Sequence, residues 1–248
     1  MMMIFSKIIF LSKLSTIASG IAALSYLGNT SPPVRKLLSS VPFTGKKQYF
    51  DGEYTPLTRG YLHGAMAIFH SLRALSTGYI SHFFLVVQYV ASFILHNAPL
   101  NPSVELRVGK VDNIAIASHI FMLAGLGLPK AQAQGRRRTI LQAMLGLTFG
   151  TSLTIAYRYG TKSWRYKQSL MPIFLAGVYT WYSSGKLFLP GTPRIPFIYI
   201  LAFSIFALHK KGAWSYDQHS LVPAIMYDLF HGLQVVGTLA TLRQVGQL

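Results

Sequence analysis

Residues Met226 to Leu242 read MYDLFHGLQVVGTLATL, an apolar run of membrane-spanning length that carries Asp228 and His231 near one end. Hydrocarbon penalises ionisable groups by about 2.5–3.5 kcal/mol each on insertion scales, so such residues turn inward and keep partners. Two other polar clusters offer partners. Ser92 and His96 close one apolar run, and Asp112 stands at the start of the next. The fold expected here is the one that lets these clusters meet.

The composition agrees with a membrane origin for that run. Of 248 residues, 51% are hydrophobic and 12% charged, and the mean hydropathy is +0.38. A soluble domain carries about 25% charge, so half that amount, with several long apolar runs, points to a polytopic membrane protein. The chain has no cysteine, which excludes disulfides, thiolate metal sites and a cysteine nucleophile. Its 23 basic and 6 acidic residues give a net charge of +17. These charges lie in short connectors between apolar runs, where contacts with anionic lipid headgroups account for them and nucleic acid is not needed.

Apolar runs near the roughly 20 residues a bilayer requires number eight. They are Ile4–Leu27, Tyr61–Ser76, Tyr79–His96, Asp112–Leu128, Thr139–Tyr157, Ser169–Ser184, Pro196–His209 and Val222–Leu242. Backbone groups in lipid must be satisfied internally, so the expected fold is all-α: a polytopic membrane helix bundle of seven core helices plus an N-terminal hydrophobic segment. Residues 1–55 form a basic extension whose connector, Gly28 to Arg59, holds Pro32, Pro33, Pro42 and Pro56 as helix breakers. Residues 56–248 form the seven-helix domain.

No acid precedes residue 51, while Lys7, Lys13, Arg35, Lys36, Lys46 and Lys47 do. That composition resembles an organellar transit segment, yet the same stretch contains a run close to spanning length. A removed presequence and a retained anchor both stay open, and either directs the expectation to the mitochondrial inner membrane. Alternate connectors place thirteen basic residues on one side and seven on the other. The positive-inside bias puts the Gly28–Arg59 connector on the cytoplasmic or matrix side. His63, His96, Asp112 and the Asp228–His231 pair then fall in one leaflet.

A histidine pair with a carboxylate and a serine at similar depth suggests zinc with a bound water. Asp228 and His231 are three apart and share a helix face, as do Ser92 and His96, four apart. Helix-capping or interfacial histidines are the plainer reading of spacing alone. For His70, His82, His119, His209 and His219 that plainer reading is adopted, because no acid or second histidine shares their face at comparable depth.

Thr58-Arg59-Gly60-Tyr61-Leu62-His63, then Ser92-x-x-x-His96, then Val111-Asp112-Asn113 opening a helix, then Tyr227-Asp228-Leu229-Phe230-His231 form an ordered set. It resembles the hemolysin III branch of the progestin-and-adipoQ-receptor superfamily over about residues 56–242. The resemblance implies a seven-helix bundle with its N-terminal side inward and an intramembrane zinc held by three histidines. It also implies a lipid-amide hydrolase or a membrane receptor. By position, His96 and His231 match zinc histidines, Ser92 the serine and Asp112 the aspartate. Tyr227 stands where the third histidine falls. A phenol with a solution pKa near 10 is a poor zinc ligand at neutral pH, so the site is expected to be weakened or empty, with Tyr227 hydrogen-bonded towards His96 or Asp112.

Three functions follow. The preferred one is a non-catalytic, accessory or structural subunit of an organellar membrane complex, in contact with membrane lipids and other subunits. The second is a zinc-dependent lipid-amide hydrolase with Asp112 as base and Ser92 beside it. The third is a receptor or lipid-binding module using the same cavity without turnover.

Overall fold

The computed structural model describes residues 2–39, 61–97, 101–127, 221–244 and 246–248, with scattered positions between 143 and 208. Every regular element among them is an α-helix. The helices are α1 (Met2–Thr30), α2 (Pro32–Ser39), α3 (Tyr61–Thr77), α4 (Ile80–Asn97), α5 (Pro102–Gly127) and α6 (Leu221–Gln244). Residues described within Thr139–Tyr157 and Pro196–His209 are helical as well, and Ser169–Ser184 lies outside the described residues.

Two boundaries differ from the sequence expectation. Pro32 and Pro33 begin a helix instead of breaking one, because proline's missing N–H falls among groups that a first turn leaves unbonded. α5 starts ten residues before Asp112, so this aspartate sits in the third turn and does not open the helix. Asn101 provides the start. Its Oδ1 accepts from the Val104 N–H at 2.9 Å and the Ser103 hydroxyl at 2.9 Å, and Pro102 takes the first helical position.

The chain divides into two compact units. The first comprises Met1–His63, His96–Pro99 and Pro193–Ala240; the second comprises Gly64–Leu95, Leu100–Thr192 and Thr241–Leu248.

In the first unit α1 turns one stripe inward: Leu14, Ala18, Ile21, Ser25 and Gly28, at alternating steps of four and three. This is the heptad spacing by which one helix follows another. Leu14 joins Ile198, Ala202, Phe230 and Leu233 in a core flanked by Phe10, Leu201, Ile205 and Val236. Ile21 lies so close over Gly232 that a Cβ there would stand 2.6 Å from its Cδ1. Tyr199 covers Gly237 in the same way and its hydroxyl meets Thr238 Oγ1 at 3.1 Å. The rest of α1 shows Ile8, Ile9, Leu11, Leu24 and Leu27 outward. Among the described residues, the Ile8–Thr30 helix is long and apolar enough to cross a membrane, and Ile80–Leu95 is a shorter apolar helix.

In the second unit α3 and α4 form a hairpin through Gly78, whose φ of +68° a residue with a side chain rarely adopts. Both helices are inverted relative to a water-soluble hairpin. Ile68, Leu72 and Leu75 on α3, and Ile80, Phe83 and Val87 on α4, point outward; Leu75 is 83% exposed and Ile80 72%. His70 and His82 are fully buried, and Ser81, Gln88 and Ser92 nearly so. A Schellman motif ends α6: Gly246 at φ +77° gives its N–H to Arg243 O, and Gln247 N–H bonds Leu242 O at 2.8 Å. That turn directs Gln247 onto α3 and α4.

Candidate functional site

Each unit buries its own polar cluster. In the first, Asp228 is 1% exposed and accepts a hydrogen bond from Ser25 Oγ at 2.5 Å. Ser25 is held on the inward stripe of α1, and its backbone carbonyl accepts from Asn29 Nδ2 at 2.8 Å. The expectation that Asp228 must have a partner is met by α1, the helix of the N-terminal extension. One turn along α6, His231 places its ring edge-on to buried His63, with centroids 5.4 Å apart. The Tyr227 ring lies 4.3 Å from His231 and Phe230 4.6 Å. A carbonyl can only accept, so the 3.0 Å contact of His231 Nδ1 with Tyr227 O places the proton on Nδ1. The neutral ring then keeps its lone pair on Nε2, the atom that would ligate a metal.

In the second unit Ser92 on α4 donates to Asp112 on α5, and both side chains are buried. The pairing follows from the fold: Ser92 is on the inward stripe of α4 with Leu85 and Tyr89, and Asp112 is on the inward stripe of α5 with Ala115 and His119. Gln88, one turn before Ser92 on the same face, has a buried Oε1 without a hydrogen-bond partner among the described residues.

Of the expected site residues, Ser92 and Asp112 stand together in one unit, and His63, Tyr227, Asp228 and His231 in the other. The His96 side chain lies outside the described residues. Among the described residues no three of histidine, cysteine, aspartate and glutamate are grouped to hold a metal ion.

A third polar cluster lies in the second unit, at histidines expected above to be helix-capping or interfacial. His70 Nδ1 and His82 Nδ1 are 2.9 Å apart, so a second histidine does share the depth of His70. His82 Nε2 lies 2.9 Å from Gln247 O, Ser81 Oγ donates to Gln247 Oε1 at 2.5 Å, and Arg73 Nη2 reaches Gln247 O at 3.4 Å. The signal was the Thr77-Gly78-Tyr79 break, which folds two runs into a hairpin and brings residues on either side of it face to face.

No family model, curated protein or solved structure matches this chain, so its residues and their geometry carry the functional reading.

Proposed function

We propose that this protein is a polytopic helical membrane protein, similar to the hemolysin III branch in its polar interior. We further propose that it acts as a non-catalytic accessory subunit of an organellar, mitochondrial membrane complex. The observation that carries the membrane part is the inversion of α3 and α4. Their outward faces carry isoleucine, leucine, phenylalanine and valine, while His70, His82, Ser81, Gln88 and Ser92 are buried among Leu85, Tyr89 and alanines. Water would penalise such a surface by about 25 cal/mol per Å² of exposed apolar area, and hydrocarbon would not. Patches of this kind on a soluble monomer mark an interface; here one extends from Ile68 to Leu75 on α3 and from Ile80 to Ile94 on α4. The basic connectors between apolar runs supply headgroup contacts and docking charge.

The Ser92–Asp112 bond supports the hemolysin III resemblance, since it pairs the two residues which that resemblance aligns with the family's serine and aspartate. In the family's mechanism a zinc ion supplies an activated water. His231 fits such an ion, with Nε2 as its ligand atom, but Tyr227 in the histidine position does not, so no catalytic step is assigned. The alternative lipid-amide hydrolase or receptor of the same superfamily rests on the same pair of residues.

The absence of native cysteine makes the test direct. Single cysteines at Leu72, Leu75 or Val87, in chains reconstituted into liposomes, are expected to resist a membrane-impermeant maleimide and to react with an apolar one. Rapid labelling by the impermeant reagent at all three positions, with the protein released by alkaline carbonate, would remove the membrane reading. Zinc analysis of the purified protein addresses the site: substoichiometric zinc that rises in Tyr227→His is expected. One tightly held zinc per unmodified chain would favour the hydrolase instead.

A further inference from the structure

The buried pair His70–His82 is not used by this function, and its hydrogen bonds define its protonation. Gln247 O is a carbonyl and can only accept, so His82 Nε2 carries a hydrogen. A neutral His82 therefore has its lone pair on Nδ1. The partner across the 2.9 Å contact, His70 Nδ1, must be the donor. That leaves the lone pair of neutral His70 on Nε2, a buried atom with no hydrogen-bond partner among the described residues. Tyr89 stacks on the His70 ring at 5.5 Å and 7°, and Phe69 meets it edge-on at 5.0 Å, so the ring is held in place.

We propose that His70 and His82 form a buried proton-binding dyad that takes up a single proton at His70 Nε2. The hydrogen-bond order decides the entry atom. A proton delivered by hydronium forms one N–H bond at His70 Nε2 and leaves water, and no existing hydrogen bond has to break. His82 has no such atom: Nε2 is already protonated and Nδ1 is engaged. Once His70 is cationic, the bridging hydrogen can pass from His70 Nδ1 to His82 Nδ1. The positive charge then moves beside the Gln247 carbonyl and the two-imidazole hydrogen bond survives.

A second proton is excluded. It would place hydrogens on both facing Nδ1 atoms, replacing a bond with a clash of like charges. Among the described residues, the other polar and titratable groups around the pair are Arg73 on α3, Tyr79 in the turn, Ser81 and Tyr89 on α4, and His119 on α5, which lies within electrostatic range of His70. None of them is an acid. A charge on the pair is met by the dipole of the Gln247 carbonyl, which Arg73 Nη2 also approaches at 3.4 Å, and the dyad holds one proton per two rings.

The test is nitrogen NMR of the full chain, with ¹⁵N-labelled histidine, in lipid nanodiscs. At neutral pH one cross-hydrogen-bond coupling between two imidazole Nδ1 atoms is expected, joining a ring protonated at Nδ1 to a ring protonated at Nε2. On acidification the Nδ1-protonated ring should gain a proton at Nε2 while the coupling persists. This measurement on the unmodified chain needs no variant to fold. His82→Gln assigns the signals and should abolish the coupling. Absence of the coupling, first protonation at the other ring, or uptake of two protons by the pair would each overturn the proposal.

Discussion

Glycine-to-alanine exchange at three helical positions should give three different signs or sizes of effect, because the added methyl meets different surroundings. In a helix interior the exchange favours folding by about 0.5–1 kcal/mol through lost unfolded-state freedom. At Gly109 the new Cβ would find Leu95 Cδ1 at 3.8 Å, an ordinary contact, so the full gain is expected. At Gly64 it would meet two atoms of the Phe93 ring at 3.2 Å. A shift of a few tenths of an ångström in that ring should consume most of the gain and leave the stability near wild type.

At Gly232 the methyl would stand 2.6, 3.2 and 3.4 Å from three atoms of Ile21. Carbon atoms prefer separations of about 3.5–4.0 Å; rotation about χ2 can carry Cδ1 away but leaves Cγ1 at 3.2 Å, so Ile21 must also shift as a whole. Overpacking of this kind costs about 1–3 kcal/mol. Against the helical gain, a net loss of roughly 1–2 kcal/mol is expected. Ile21→Ala should remove the overlap, so that Gly232→Ala becomes stabilising in that background. The assay is reversible unfolding in mixed detergent micelles, run as a double-mutant cycle. If the Ile21 and Gly232 effects simply add, or if all three glycines respond alike, α1 does not pack on α6 as described.

Ser25→Ala should destabilise by about 2 kcal/mol, because a buried carboxylate loses a charge-assisted hydrogen bond; the loss should shrink in an Asp228→Asn background, read by the same unfolding assay. Ser92→Ala should act likewise through Asp112, and Asp112→Asn should recover part of the loss. Gly246→Ala forces a side chain into the left-handed region at about 1–2 kcal/mol, and amide exchange at Gln247 should accelerate as the last turn frays.

The long helices were legible because their apolar runs are bounded by clear breaks. Tyr61–Ser76 and Val222–Leu242 differ from α3 and α6 by no more than two residues at either end. Ser92 and Asp112 were legible as buried polar groups in need of a partner, and they are each other's partner. The start of α5 was hidden by Glu105, Arg107 and Lys110, whose charges interrupt the apolar run although Asn101-Pro102 has the chemistry of a helix start. Ser25 was hidden for a different reason. Hydropathy reports that α1 is apolar but not which of its faces turns inward, and the inward stripe is set by close packing at Gly232. The same blindness to rotation concealed His70 and His82. Each sits in a run whose neighbours are apolar on nearly every side, so periodicity cannot say that the histidines face one another.

The distribution of polar pairs argues for what they do. Ser25–Asp228 ties α1 to α6, Ser92–Asp112 ties α4 to α5, His70–His82 ties α3 to α4, and Tyr199–Thr238 ties the helical residues near 199 to α6. Each pair joins two different helices. In water, the outward leucines and isoleucines of α1, α3 and α4 would be the strongest force available and would turn inward. With lipid as the outer solvent, apolar faces gain nothing by meeting each other, and helix association depends on close packing and interhelical hydrogen bonds. Among the described helices, one polar bond joins each of these pairs, and Ile21 and Tyr199 close over glycine, so both of those forces are used. The polar residues then have a structural reason to be inside before any catalytic one is invoked.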